Sequence, residues 1–347
     1  MNITVLMGGT SAERNVSLAS GLRIVEALRA RGHDVRAVDP ARDVISAAEE
    51  GRLRSGGVPS VPPTVAELEE LARHAVTASL GSMSEVRDAD VVFLALHGGE
   101  GEDGTVQALL DMAGVRYTGS GRLASALAMD KDLSKRLFRT AGVQTADWLM
   151  APPAADAGGP AWDAFAQQAG ALGSKVVVKP SKQGSTVGLS VVTEPAALRA
   201  AVVEARRYDD EVMVERFIAG REFTVGVLGD QALPVGEIIA SKEIYDYECK
   251  YTAGMAREEF PARISDAERD EMQRQALAAF RVLKLRGYAR IDFRMTAAGE
   301  CYCLEANTLP GMTELSLIPQ GAAAAGIAFA ELCERVVRLA VEGVVAR

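Results

Sequence analysis

Arg290-Ile291-Asp292-Phe293-Arg294-Met295, then Thr296-Ala297-Ala298-Gly299-Glu300, then Cys301-Tyr302-Cys303-Leu304-Glu305-Ala306-Asn307 is the stretch that decides the reading of this chain. Its two apolar-rich runs read as antiparallel strands joined by a short turn. A two-residue turn at Ala298-Gly299 sets Asp292 opposite Glu305 and Arg290 opposite Asn307. Side chains alternate along a strand with period two, so all four then share one face. Two carboxylates and an amide oxygen converging there make a hard-oxygen site, suited to Mg²⁺ held together with nucleotide phosphates. A solvated polar face on an edge hairpin gives the same pattern, and spacing alone leaves both readings open.

Upstream, Val176-Val177-Val178-Lys179 reads as a buried strand that ends in a lysine. It runs into Pro180-Ser181-Lys182-Gln183-Gly184-Ser185-Thr186-Val187-Gly188, and Gly188–Val192 is expected to pair with it across this loop. A Gly/Ser loop can fold its N–H groups over phosphates while a lysine supplies a point charge. An ordinary hairpin with a solvent-facing lysine fits the same residues. Glu211–Glu215 reads as a further strand, followed by Arg216-Phe217-Ile218 and Glu222. Carboxylates beside an apolar pair suit a ribose and an adenine, or a plain strand end and turn. A helix carrying Lys131 and Lys135 precedes a Pro/Ala/Gly-rich hinge at 151–160. After residue 216 the pattern is mostly antiparallel, with Phe223–Leu228, Gly236–Ile239, Gly287–Met295 and Cys301–Glu305, before a terminal helix from about Ala328 to Gly343.

The first third alternates strand and helix, which argues for a parallel α/β sheet. Its strands are Ile3–Met7, Val35–Val38 and Val91–Leu96, the last ending at His97. Between the first two runs a helix with Leu18, Leu22, Val25 and Leu28 on one face, stopped by Gly32. Residues 55–63 read as loop and Thr64 to about His74 as a short helix.

The chain has 347 residues, 48% hydrophobic and 24% charged, enough for two or three packed domains. Its formal net charge of −9 and its lack of a Lys/Arg-rich run exclude a general nucleic-acid binder. Four cysteines and three histidines, none in a C-x-x-C pair, offer no structural zinc cluster and read as buried thiols in a reducing cytosol. No stretch approaches the roughly 20 apolar residues of a membrane span, and no secretory signal is expected. Two matches to the dinucleotide pattern G-x-G-x-x-G/A are decoys. Gly99–Gly104 places carboxylates where a pyrophosphate would sit, and Gly119–Ala124 lacks the later acidic residue that holds a ribose.

Taken in order, Lys131, Lys179, the Gly/Ser loop, Glu215, Glu222, Asp292, Glu305 and Asn307 match the ATP-grasp pattern. More closely, the chain resembles the D-alanine–D-alanine ligase family from residue 3 to about 340. The resemblance is carried by Gly8-Gly9-Thr10-Ser11-Ala12-Glu13-Arg14, His97-Gly98 with Gly101-Glu102-Asp103-Gly104, Tyr117-Thr118-Gly119-Ser120-Gly121 and Met129-Asp130-Lys131. Tyr245-Asp246-Tyr247-Glu248-Cys249-Lys250-Tyr251 and Leu304-Glu305-Ala306-Asn307-Thr308-Leu309-Pro310-Gly311-Met312-Thr313 complete it.

The resemblance implies an α/β fold, α+β in its C-terminal half: a three-domain ATP-grasp with an N-terminal parallel-sheet domain. The expected segments are 1–121, 122–215 and 216–347, the last with a closing loop at 241–260. It implies ATP-dependent joining of two D-alanines through an acyl phosphate, for peptidoglycan precursor synthesis by a cytoplasmic homodimer. Glu13 is expected to fix the ammonium of the first D-alanine, with Ser185 and Tyr251 as hydrogen-bond partners. Arg290 and the Gly311 N–H resemble an oxyanion hole, Ser316 the grip on the second carboxylate, and His97 a group that orients or deprotonates. Lys131, Lys179 and Lys250 would neutralise phosphate, and Glu215, Phe217, Ile218, Glu222 and Leu304 would hold the nucleoside. Asp292, Glu305 and Asn307 would bind two Mg²⁺, with Mn²⁺ as a substitute. Tyrosine at 251 favours D-alanine over D-lactate as nucleophile. The segment 41–88, Cys249 and Gly99-Glu100 depart from the family pattern. The alternatives are another ATP-grasp carboxylate–amine ligase, depsipeptide-forming ones included, a non-catalytic nucleotide-binding regulator, and a dinucleotide oxidoreductase.

Overall fold

The computed structural model describes residues 1–347 except 57–60, 62, 76, 154–158, 185, 242–253 and 343–347. The chain begins with β1 (Asn2–Leu6), α1 (Arg14–Ala30), β2 (Asp34–Asp39), β3 (Asp43–Val44) and α2 (Ala47–Gly56). It continues through α3 (Val65–His74), α4 (Ser84–Arg87), β4 (Val91–Leu94) and α5 (Thr105–Ala113). The strand order is β3-β2-β1-β4, with β2, β1 and β4 parallel and only the short β3 antiparallel. Apolar runs form β1 and β4 because parallel strands are covered on both faces. The chain leaves β1 at Gly8-Gly9 and β4 near His97-Gly98, at the carboxyl ends of neighbouring strands, where open α/β sheets form their crevice. α2 extends to Gly56 and so claims the first two residues of the expected loop at 55–63. α3 starts where Thr64 and Glu67 form a reciprocal capping box.

Next come α6 (Arg122–Met129), α7 (Lys131–Thr140), β5 (Trp148–Met150), α8 (Pro160–Ala171) and β6 (Val176–Pro180). β7 (Ser190–Val192), α9 (Leu198–Ala205) and β8 (Val212–Arg216) complete a four-stranded antiparallel sheet of order β5-β8-β6-β7. α7 begins at Lys131 because the Asp130 carboxylate accepts the Leu133 N–H at 3.0 Å.

The last part holds β9 (Arg221–Leu228), β10 (Gln231–Ala232), β11 (Gly236–Ala240), β12 (Ala256–Glu259) and α10 (Asp266–Val282). β13 (Tyr288–Met295), β14 (Cys301–Asn307), α11 (Leu317–Ala324) and α12 (Phe329–Glu342) follow. Its sheet runs β12-β11-β9-β13-β14, with β10 on β9, and every pairing is antiparallel.

Among the described residues the three largest hydrophobic cores do not all follow the expected segments, for two of them cross residue 121 or 215. Ala124, Ala128 and Phe138 of α6 and α7 pack with Phe223, Phe280 and Phe293 of the six-stranded sheet. The four-stranded sheet keeps its own core around Phe165, Val178, Val202 and Val214. Leu332, Val336 and Val337 of α12 return to the first sheet and pack with Ile3, Leu28 and Phe93. Among the described residues, no helix is long and apolar enough to cross a membrane.

Candidate active site

A cleft opens between the four- and six-stranded sheets. Its walls are Val177 and Lys179 from β6, Glu215 and Arg216 from β8, and Arg290, Asp292 and Arg294 from β13. Leu304 and Glu305 come from β14 and Lys131 from α7; Phe217, Ile218, Glu222, Ile238 and Leu317 also line it. The hairpin brings Arg290 opposite Asn307 and Asp292 opposite Glu305, as the sequence spacing predicts. The route differs, however. The loop has three residues, Ala297-Ala298-Gly299, because Gly299 donates to the Thr296 carbonyl and Thr296 donates to that of Glu300. Gly299 takes φ +82°, the left-handed position such a loop requires. Farther down, Phe293 pairs with Cys303 rather than Leu304, so β14 carries a one-residue bulge. The bulge offsets the extra loop residue and restores the register at the carboxylates. It also lets consecutive residues, Leu304 and Glu305, both face the cleft, as bulges beside sites do.

The floor is basic but balanced. Glu215 is 4% exposed and takes Lys135 Nζ at 2.6 Å on one oxygen and Lys179 Nζ at 2.5 Å on the other. Burial pushes this carboxyl up, yet the two lysine charges and their hydrogen bonds outweigh it and hold it at about 2. Lys175 and Arg294 both stand over the Phe217 ring, their charged heads 4.2 and 5.2 Å from its centre. Arg294 also pairs with Glu222 at 3.0 Å.

On the opposite wall, Asp292 accepts the Thr224 hydroxyl at 2.8 Å and both Nε and Nη2 of Arg290, at 2.9 and 2.8 Å. Asn307 Nδ2 donates to the same carboxylate at 3.1 Å, which leaves the amide oxygen as its donor atom for a cation. Lys131 Nζ stands 3.3 Å from Glu305 and donates to the Gln183 carbonyl at 2.7 Å. Each carboxylate thus carries an organic cation where a divalent ion would act. Two carboxylates plus one amide oxygen suit a hard ion shared with phosphates. Among the described residues there is no cluster of three or more His, Cys, Asp or Glu that could enclose a metal, so protein side chains alone do not complete such a shell.

Beyond the Gly/Ser loop lies a second group. A β-carbon on Gly184 would come 3.1 Å from Glu13 Oε2, and one on Gly98 3.0 Å, so the Glu13 carboxylate sits where both loops meet. Next to it, Glu102 is pushed up to about 7, by burial first and then by the Glu13 charge. Its oxygens accept the N–H groups of Gly98 at 2.8 Å and Leu309 at 3.2 Å. The match of Gly99–Gly104 to a dinucleotide loop therefore ends in carboxylate–backbone contacts, as its acidic residues suggest. His97 lies below its ordinary value because it is buried. A carbonyl can only accept, so Nδ1–H donates to Leu309 at 2.7 Å, and Nε2 then accepts the Ser20 hydroxyl at 3.2 Å. The Ser20 oxygen in turn accepts the Met312 N–H at 3.0 Å. Both ring nitrogens are occupied, which leaves His97 neither a free base nor a free donor here; it holds the Leu309–Met312 turn. Gly311 lies inside that turn, and a β-carbon on it would come 2.6 Å from Ser316 Oγ, so any larger residue would have to push that hydroxyl aside. Ser316 Oγ accepts the Thr313 N–H at 3.0 Å.

Ser185, Lys250 and Tyr251, with Cys249 and most of the closing loop, lie outside the described residues. Cys301, Cys303 and Cys333 are free and buried. Ser20, Thr224 and Lys135 in its ion-pair role are contributors that sequence reasoning missed. Ser17 and Ser20, polar residues on the buried face of α1, were the available signal.

The family models for the D-ala D-ala ligase N-terminus and C-terminus match residues 2–120 and 137–338. The D-alanine–D-alanine ligase of Pelobacter propionicus is 44% identical over 336 residues, covering 96% of this chain and 94% of its own length. That of Geobacter sulfurreducens is 44% identical over 335 residues, covering 96% and 92%. Among solved structures, the D-alanine–D-alanine ligase from Bacillus anthracis complexed with ATP superposes with a TM-score of 0.77 at 29% identity, covering 99% and 97%. The VanG D-Ala:D-Ser ligase from Enterococcus faecalis gives 0.80 at 28%, covering 98% and 99%. With both family models matched and close relatives aligned end to end, the chain belongs to the D-alanine–D-alanine ligase family.

Proposed function

We propose that the protein uses ATP to join two D-alanines into D-alanyl-D-alanine. One observation carries the reading: Lys131, seated on Glu305, binds the Gln183 carbonyl, and the next residue, Gly184, abuts the Glu13 carboxylate. Two adjacent loop residues thus bridge a phosphate-handling wall and an ammonium-anchoring acid. ATP lies in the cleft, its base against Phe217, Ile218 and Leu304, its ribose toward Glu222 and its phosphates toward Lys131, Lys179 and Lys250. Glu215 underlies the base and Lys179.

Glu13 fixes the ammonium of the first D-alanine, with Ser185 and Tyr251 completing its site. The substrate carboxylate oxygen attacks the γ-phosphorus, and ADP leaves. The amine of the second D-alanine attacks the acyl carbon, the oxyanion faces Arg290 and the Gly311 N–H, and inorganic phosphate departs as the amine loses its proton. Ser316 grips the second carboxylate, and His97 acts through the turn it holds. Asp292, Glu305 and Asn307 hold divalent metal, two Mg²⁺ or Mn²⁺, which screens phosphate charge. Closure of the 241–260 loop keeps water from the acyl phosphate. The product is a peptidoglycan precursor, made in the cytoplasm by a homodimer, with 1–121, 122–215 and 216–347 as working segments.

The test is phosphate release from Mg²⁺-ATP across D- and L-amino acids and D-lactate, with products identified by mass. D-alanine-dependent release with dipeptide formation is expected. If D-alanine is inert while another acid and amine couple, the roles of Glu13, Ser185 and Tyr251 are wrong. D-serine as the preferred second substrate would move the chain toward the activity named for the Enterococcus relative.

A further inference from the structure

Lys135 is fully enclosed, on the inner face of α7. A buried ammonium is unfavourable unless it is paired, and its partner is Glu215 Oε2 at 2.6 Å, a residue 80 positions away. Its Nζ also stands 5.0 Å from the Trp148 ring centre, and Trp148 is itself held by donating to Asp132 at 2.7 Å. Lys135 does not line the cleft, whereas Glu215 and Lys179 do. It therefore cannot touch a nucleotide directly.

We propose that Lys135 is a positioning residue for the polyphosphate of ATP: it engages one oxygen of Glu215 so that Lys179, on the other, keeps its charge for the phosphates. The inference rests on the nucleotide reading of the cleft given above. Two lysines on one carboxylate leave one net positive charge. With Lys135 removed, Glu215 and Lys179 form a one-to-one pair that offers a phosphate no net charge. The same carboxylate, held from one side only, is also free to turn. A lysine that merely satisfies a buried acid makes no such demand on ligand binding.

The experiment measures KM for ATP and for D-alanine, and the inhibition constant of tripolyphosphate, which carries the charge without the base. Lys135→Met is expected to raise KM for ATP and the tripolyphosphate constant by about tenfold, one strong charge contact, while KM for D-alanine changes less than about twofold. Glu215→Gln alone keeps both lysines and is expected to bind tripolyphosphate more tightly than the wild type. Lys135→Met combined with Glu215→Gln, which leaves Lys179 unpaired, restores tripolyphosphate binding to within about threefold. A purely structural lysine predicts the opposite order, with the double variant no better than the single. The proposal is overturned if Lys135→Met leaves both constants within about twofold, or if Glu215→Gln weakens tripolyphosphate binding. Tripolyphosphate and ATP binding can be measured directly without turnover. Failure of D-alanine to support phosphate release therefore sinks the proposed function alone, whereas a wild type that binds neither ATP nor tripolyphosphate sinks both.

Discussion

Glu215 ties the chemistry of the cleft to the stability of the fold. Its carboxyl is held at about 2 in the folded protein against an ordinary value of 4.5. A depressed acid stabilises the fold above its unfolded value, and that contribution is lost as pH falls toward the folded value. Between pH 5 and pH 3 the wild type should lose roughly 2 kcal/mol more unfolding free energy than Glu215→Gln, read from denaturant curves at each pH. Equal slopes for the two proteins would show that the lysine pair does not hold the acid down. The sequence marks Glu215 as a candidate and places Lys135 on a helix, but says nothing of their pairing. A lysine four residues after Lys131 in a helix has the spacing of a solvated face, and only the distant strand β8 makes it an interior charge. The Asp292–Glu305 pair was legible because strand alternation is local.

At the scale of elements, the turn from Leu309 to Met312 is pinned at three backbone groups. Glu102 takes the Leu309 N–H, His97 donates to the Leu309 carbonyl, and Ser20 takes the Met312 N–H. Ser20→Ala leaves the Met312 N–H and His97 Nε2 in a buried place without their partner. It should destabilise the protein by about 1–3 kcal/mol. If Gly311 faces the developing oxyanion, kcat should fall severalfold while KM for ATP stays put; unchanged kcat in a folded variant would remove Gly311 and its turn from the chemistry. Ser20 was invisible to apolar periodicity, which reads α1 through Leu18, Leu22, Val25 and Leu28 and passes over hydroxyls on the same face. The start of β14 was legible, though the strand runs on to Asn307 rather than stopping at Glu305; its bulge was not, since it depends on a turn one residue longer than the spacing suggests.

For the whole molecule, the first sheet is completed by the end of the chain. The buried face of α12, with Leu332, Val336 and Val337, lies in one core with α1 and β4. Residues 119 and 287 also touch closely: a β-carbon on Gly287 would come 3.2 Å from the Gly119 α-carbon. A fragment of residues 1–121 expressed alone should therefore lack cooperative thermal unfolding by circular dichroism, because its apolar cover is missing. A sharp transition for that fragment would show that the first sheet stands without α12. Alternating strands and helices announce a parallel sheet, but which distant helix closes it is a tertiary fact that no local pattern carries.

The compensated hairpin constrains how this protein can vary over generations. Its exposed loop, Ala297-Ala298-Gly299, looks like a place where lengths drift freely. Yet the count of residues there is matched by the bulge at Leu304, and the two together keep Asp292 facing Glu305. A lineage that loses one residue here but keeps a three-residue turn holds the carboxylates aligned only by flattening the bulge, and strand alternation then turns Leu304 out of the cleft. Such a deletion would thus be inherited as a change in the cleft wall at Leu304, so loop length and the residue at 304 should change together among descendants.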